Sequence, residues 1–95
     1  MGKASRKRPK RLSEKLSAIR NGLNLTFEGL IERLDCPDIA LYRASISQYE
    51  NDKGEPPLEV LLQYARLANV YVDVLIDDDL NLPAYIPANG RRKLS

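Results

Sequence analysis

Apolar residues recur at Leu12, Leu16, Ile19 and Leu23, spaced by four, three and four, which marks one stripe of an amphipathic helix over residues 12–21. Gly22 then stands where a left-handed residue commonly closes a helix, and Asn24 keeps the connection short. Thr26 offers its hydroxyl to the free amides of a second helix over 27–35, with Phe27, Leu30, Ile31 and Leu34 as its apolar face and Glu28 near its positive end. Gly29 inside that helix costs up to about 1 kcal/mol against alanine. Close approach of a neighbouring helix is expected there.

Cys36-Pro37-Asp38 breaks the pattern, because Pro37 lacks a donor and disfavours helical geometry in the residue before it. A third helix over 44–51 follows, with Ile46 and Tyr49 as its inward pair and Arg43, Ser47 and Gln48 pointing elsewhere. Two starts are compatible with the pattern: Asp38 capping a helix from Ile39, or a turn over 39–41 with the helix beginning near Tyr42. Residues 51–56 are dense in turn formers and form a loop. Pro57 opens a fourth helix with Leu58, Leu61, Leu62, Ala65, Leu67 and Ala68 at helical spacing, and Asn69 terminates it. In residues 70–76 β-branched side chains alternate, yet no partner strand is in sight, so a short fifth helix is expected. The chain reads as an all-α, compact bundle of five short helices over 12–79 with a core that includes Leu30, Leu34, Ile46, Tyr49, Leu61 and Leu62. Asp77-Asp78-Asp79, Pro83 and Pro87 end it, and residues 80–95 form an extended tail.

Composition narrows the chemistry. The 95 residues contain no histidine and one cysteine, Cys36, which removes histidine bases, disulfide scaffolds and nearly every transition-metal site. Asp77 to Asp79 lack the spaced ligands of a calcium loop, and Cys36 has no basic neighbour to activate it. The reading is a non-enzyme without cofactor or metal. No apolar run approaches the roughly 18 residues of a membrane span, and the basic N-terminus lacks the pattern of a secretory signal, so a cytoplasmic location without membrane contact is expected.

The net charge of +2 conceals a segregation along the chain. Residues 1–11 hold Lys3, Arg6, Lys7, Arg8, Lys10 and Arg11 without an acid, and Arg91, Arg92 and Lys93 lie near the C-terminus. All 13 acids fall between these ends. A basic block of this kind is disordered alone and commonly serves as a nucleic-acid-binding arm.

Ile46-Ser47-Gln48-Tyr49-Glu50-Asn51, followed by Gly54-Glu55-Pro56 and a leucine-rich helix, together with Arg20 and the Leu25-Thr26 to Leu30-Ile31 opening, carries a resemblance. Residues 12–77, about two thirds of the chain, resemble the Xre or Cro/CI-like (lambda repressor-like) helix-turn-helix domain of bacterial and phage regulators. In one respect the chain departs from that pattern: residues 35–39 look like an insertion, and Ala40 occupies the place of the usual glycine. The resemblance implies base reading by Arg43, Ala44, Ser47 and Gln48; DNA-backbone contacts are expected from Thr26, Tyr42, Ser45, Asn51 and Lys53, although a cap role alone accounts for Thr26 and a turn-forming role equally well for Asn51. Arginine can grip guanine O6 and N7, and glutamine adenine N6 and N7. The plainer alternative for Arg43 is a surface pair with Asp38 or Glu50, and Glu50 suits a tie to Arg20 or to a backbone amide better than an acid's role.

The resulting expectation is a DNA-binding repressor at the nucleoid of a bacterial or phage-infected cell, gripping a palindromic operator in double-stranded DNA as a homodimer. Val72, Val74, Leu75, Ile76, Leu80, Leu82, Tyr85 and Ile86 supply the apolar surface for the two-fold contact. The alternative is an antitoxin or adaptor whose acidic globule and apolar tail bind a protein partner, a toxin or another regulator.

Overall fold

In the computed structural model, which describes residues 9–86, the first apolar stripe forms α1 (Leu12–Gly22) and buries Leu12, Leu16 and Ile19. Gly22 does not close this helix, as expected from the sequence; it lies within it, and the left-handed residue is Asn24 (φ 58°). Gly22 serves a different purpose. A Cβ there would lie 3.1 Å from the side chain of Ile86, so its absence lets the C-terminal segment lie against the helix end.

α2 (Phe27–Leu34) begins where Thr26 Oγ1 accepts the Gly29 amide at 3.0 Å, and ends before Asp35, which turns left-handed (φ 54°). The atoms a Cβ on Gly29 would meet are Thr26 Oγ1 at 3.2 Å and Leu25 Cδ2 at 3.5 Å, so the cap itself crowds the position and no close helix accounts for it. Of the two starts open for the third helix, the turn is adopted: the Ile39 amide donates to the Cys36 carbonyl at 3.1 Å, and α3 (Arg43–Glu50) follows the extended Tyr42.

α4 (Leu58–Ala68) follows Pro57 and is closed by the left-handed Asn69 (φ 62°). Its inward face is Val60, Leu61, Tyr64, Ala65, Leu67 and Ala68, rotated from the expected stripe, so that Leu58 is 77% exposed and Leu62 half-buried. α5 (Val72–Ile76) is shorter than the predicted segment and buries Leu75. α4 packs on α1, α2 and α5, α3 lies across α1 and α2, and α5 lies across α1 and α4. Among the described residues there is no strand, and the molecule is the expected small all-α bundle of five helices.

Residues 80–86 are not a free tail. Ile86 is buried and Leu82 half-buried against the core. Lys15 is a second departure from the simple pattern, a cation 2% exposed on the same face as Leu12 and Leu16. Its Nζ donates to the Val74 carbonyl in the last turn of α5 at 2.7 Å and, just beyond it, to the Asp77 carbonyl at 3.0 Å, which also accepts the Leu80 amide. Burial draws its pKa below the ordinary lysine value.

At the junction of α1 and α3, Arg20 Nε and Nη2 donate to Glu50 at 2.7 and 3.0 Å, while Nη1 donates to the Leu25 carbonyl at 2.9 Å. The Glu50 carboxylate is the first cause holding the Arg20 pKa above its usual value. Tyr64 lies fully buried near this pair, and among the described residues its hydroxyl has no hydrogen-bond partner. Burial, reinforced by the Glu50 charge, pushes its phenol far above the usual tyrosine range. Removing an unmet hydroxyl while keeping the ring relieves a desolvation cost, so Tyr64→Phe is expected to raise stability by about 1 kcal/mol. Glu50→Ala removes both charge-assisted bonds from a half-buried guanidinium and is expected to lower it by about 2–3 kcal/mol. Denaturant midpoints measure both, and a destabilised Tyr64→Phe would mean that the hydroxyl is satisfied in solution.

Candidate functional site

The α2–α3 pair presents the outward surface on which the expected site residues lie. α3 turns Ile46 fully inward and Tyr49 partly inward, which leaves Arg43, Ala44 and Gln48 exposed and Ser47 half-buried. The Tyr42 amide donates to Ser45 Oγ at 3.1 Å, so the Ser45 hydroxyl is engaged in starting the helix. At the other end, Asn51 Nδ2 donates to the Ser47 carbonyl at 2.8 Å and to Ser47 Oγ at 3.3 Å. Thr26 is likewise occupied as the cap of α2. Four of the nine residues expected to read bases or grip the backbone therefore stiffen the helix ends. Tyr42, Arg43, Ala44, Gln48 and Lys53 project from the frame they make. Gln48 runs beside the following loop, its Oε1 3.8 Å from where a Cβ on Gly54 would stand.

Arg43 pairs with neither Asp38 nor Glu50. Its Nε lies 3.1 Å from Glu28 Oε2 on the first turn of α2, and its guanidinium stands 5.5 Å from the centre of the Phe27 ring. Arg20 covers the same ring at 4.6 Å. Sequence reasoning gave Phe27 to the apolar face and Glu28 to the helix dipole. A pairing across two helices has no sequence spacing to reveal it.

Electrostatically this face is mixed. α2 and the connection after it expose Glu28, Glu32, Asp35 and Asp38, against Arg33, Arg43 and Lys53. Cys36 is buried with its Sγ 3.6 Å from the Leu34 carbonyl, and burial pushes its thiol pKa up, which keeps it protonated and unreactive at neutral pH. Among the described residues no helix is long and apolar enough to cross a membrane.

The basic arm has a fixed root. Lys3, Arg6, Lys7 and Arg8 lie outside the described residues, but Pro9 is buried and the amides of Lys10 and Arg11 donate to the Asp78 carboxylate at 2.9 and 3.0 Å. The Arg11 guanidinium donates onward to the Asp78 carbonyl at 2.8 Å. Of the apolar residues expected at a two-fold contact, Leu75 and Ile86 are corrected: both are buried in their own core and cannot meet a second copy. Ile76, Leu80 and Tyr85 are exposed, and Val72, Val74 and Leu82 are half-buried. No family model, curated protein or solved structure matches the chain.

The Asp78 carboxyl is held below the usual aspartate value of 3.8, first by the Lys10 amide and then by the Arg11 amide. Only the ionised form accepts both bonds, so the hold on the arm root is complete above the ordinary value and is lost as pH falls through the lowered one. In an NMR titration Asp78 is expected to have a midpoint below 3.8, and the Lys10 and Arg11 amide resonances should move with it. Amide resonances that ignore the carboxyl would disprove the contact.

Proposed function

We propose that the chain is a sequence-specific DNA-binding regulator of the Xre or Cro/CI-like kind, a repressor acting at the nucleoid in the cytoplasm of a bacterial or phage-infected cell. α2 and α3 serve as the helix-turn-helix, and α3 enters the major groove. The observation that carries the reading is the outward row of Arg43, Ala44 and Gln48, with the half-buried Ser47 between them, over the fully buried Ile46. Those four side chains combine a guanine grip, an adenine grip and two small surfaces that admit a base edge. Tyr42 and Lys53 lie at the two ends of the row, where contacts to the sugar-phosphate backbone set register.

Phosphate attraction has to come largely from outside the helical body, since residues 9–86 hold all 13 acids of the chain. The arm supplies it, launched from the root at Pro9 to Arg11. A single small module reads few bases, so tight binding needs a second copy with its α3 about 34 Å away in the next major groove. Ile76, Leu80 and Tyr85, flanked by Val72, Val74 and Leu82, form the proposed two-fold contact. The acidity of the helical body favours a second reading, an antitoxin or adaptor that binds a basic protein partner. Purification from the host separates the two: a stoichiometric basic protein supports the second, and co-purifying DNA alone the first.

Deleting residues 2–11 is expected to weaken binding to every duplex and to flatten its dependence on salt. Arg43→Ala and Gln48→Ala should each erode the preference for a duplex selected from a random pool by about 1–3 kcal/mol while leaving binding to unselected DNA nearly unchanged. Equal losses on both would count against base reading. For the dimer, Ile76→Asp combined with Tyr85→Asp changes only exposed side chains; sedimentation should shift from dimer to monomer with the thermal midpoint held.

A further inference from the structure

Residues 80–86 form no helix, yet the chain does not leave the molecule where α5 ends. The Leu80 carbonyl accepts Arg11 Nη1 at 3.4 Å just before α1, Leu82 is half-buried against the core, and Ile86 is buried beside Gly22 in the last turn of the same helix. The segment is a strap along the whole of α1. That helix is about 16 Å long for its 11 residues, and the strap can span at most about 20 Å. Gly22 weakens the helix end that it occupies, since glycine loses more backbone freedom on ordering than other residues. What its missing side chain provides is the seat: a Cβ would stand 3.1 Å from Ile86 Cγ1 and 3.3 Å from Ile86 Cβ. This seat adjoins the α2–α3 end of the molecule. In the last turn of α1, Arg20 ties to Glu50 and covers the Phe27 ring at 4.6 Å, and Arg43 stands 5.5 Å from the centre of that ring. The N-terminal basic cluster is rooted a helix length away, where the Lys10 and Arg11 amides bind Asp78.

The strap fixes the point from which the C-terminal basic cluster starts. Arg91, Arg92 and Lys93 lie outside the described residues, but Arg91 follows Ile86 by five positions, and no chain spans more than about 3.6 Å per residue, so Arg91 stays within about 18 Å of the seat. The acids along the row from Ile86 to Arg43 are already engaged, Glu50 by Arg20 and Glu28 by Arg43. Resting on the DNA reading, we infer that Arg91, Arg92 and Lys93 are a second phosphate-binding arm, delivered beside α3 by residues 80–86. It grips the DNA backbone next to the base pairs that Arg43 and Gln48 read, while the N-terminal arm holds the duplex from the other end of α1. A short tether keeps three cations at high local concentration around those phosphates. Their contacts release counterions and fix the register of α3 in its groove.

The test uses the full chain and a duplex that it selects from a random pool. Arg91→Gln, Arg92→Gln and Lys93→Gln together should lower the slope of log affinity against log salt by about 2.7 per bound copy, from roughly 0.9 for each phosphate neutralised. A fourfold rise in salt then costs each wild-type copy about fortyfold more affinity than it costs the variant. Placement is read separately with an iron-EDTA cleaver on Asn89→Cys or on Ser5→Cys, Cys36 being buried and unreactive. The Asn89→Cys cleaver should cut the backbone closer to the base pair at which Arg43→Ala loses its preference than the Ser5→Cys cleaver does. If wild type selects no duplex, the DNA reading fails and the second arm with it. If it selects one and the neutralised chain keeps the wild-type slope, the arm is overturned while the DNA reading stands. Tighter binding by the neutralised chain overturns it as well, since the cluster then covers acids of its own molecule. A cut from Asn89→Cys as far away as that from Ser5→Cys, or farther, overturns the placement by the strap.

Discussion

The half-buried pair of Arg20 and Glu50 is the constraint on which the arrangement of α1, α2 and α3 depends. Its side chains are 18% and 7% exposed, and the guanidinium is fully engaged by one carboxylate and one backbone carbonyl. Apolar packing alone tolerates many small rotations between helices, because it has no directional term. Two parallel N–H donors facing two carboxylate oxygens do not tolerate them. The last turn of α1 is therefore locked to the end of α3, and the Leu25 carbonyl brings the α1–α2 turn into the same joint. A buried ion pair adds little net stability against an apolar replacement, but a misplaced one is costly. Its effect is to make one helix arrangement much better than its neighbours.

The same logic operates at the opposite end of α1. Lys15 caps the carbonyls at the end of α5, and Arg11 binds the chain just beyond it, so two cations from α1's start hold an element of five residues too short to be stable by itself. Asp78 returns the contact by accepting the Lys10 and Arg11 amides. The first residues before α1 and the first residues after α5 thus form one clasp. Ile86 packed against Gly22 extends it to the far end of α1.

These internal duties explain the surface. Lys15 and Arg20 are withdrawn from solvent, and Arg43 is covered on one side by Glu28, while most of the acids stay exposed. The helical body is consequently acidic outside and cationic at its joints. On the proposed DNA reading, a polyanion would meet favourable charge mainly at the chain's ends, and α3 would contribute shape and directed hydrogen bonds rather than bulk attraction.

The number, order and type of the helices are legible in the sequence, because an apolar stripe, a cap and a breaker act within a few residues of one another. Leu12 to Ile19, Thr26, Pro57 and Asn69 all do in the structure what their spacing indicates. The tie from Glu50 to Arg20 was one of two that the sequence left open for that acid, the other being a backbone amide, and the packed structure made the choice. What the sequence could not contain is which outer partner each side chain meets. Gly22, Gly29 and Leu58 were misread, and Lys15 drew no reading at all, for this reason: each is decided by a neighbour distant in sequence or by the rotation of its helix about its own axis. The partition of the apolar tail, with Ile86 in the core and Tyr85 outside, also needed the packed molecule. So did the choice of Glu28 for Arg43. Local rules determine where helices begin and end because their energies arise within one or two turns, whereas the facing of side chains depends on how the whole core fills its volume, and that is settled only when all five helices are in place.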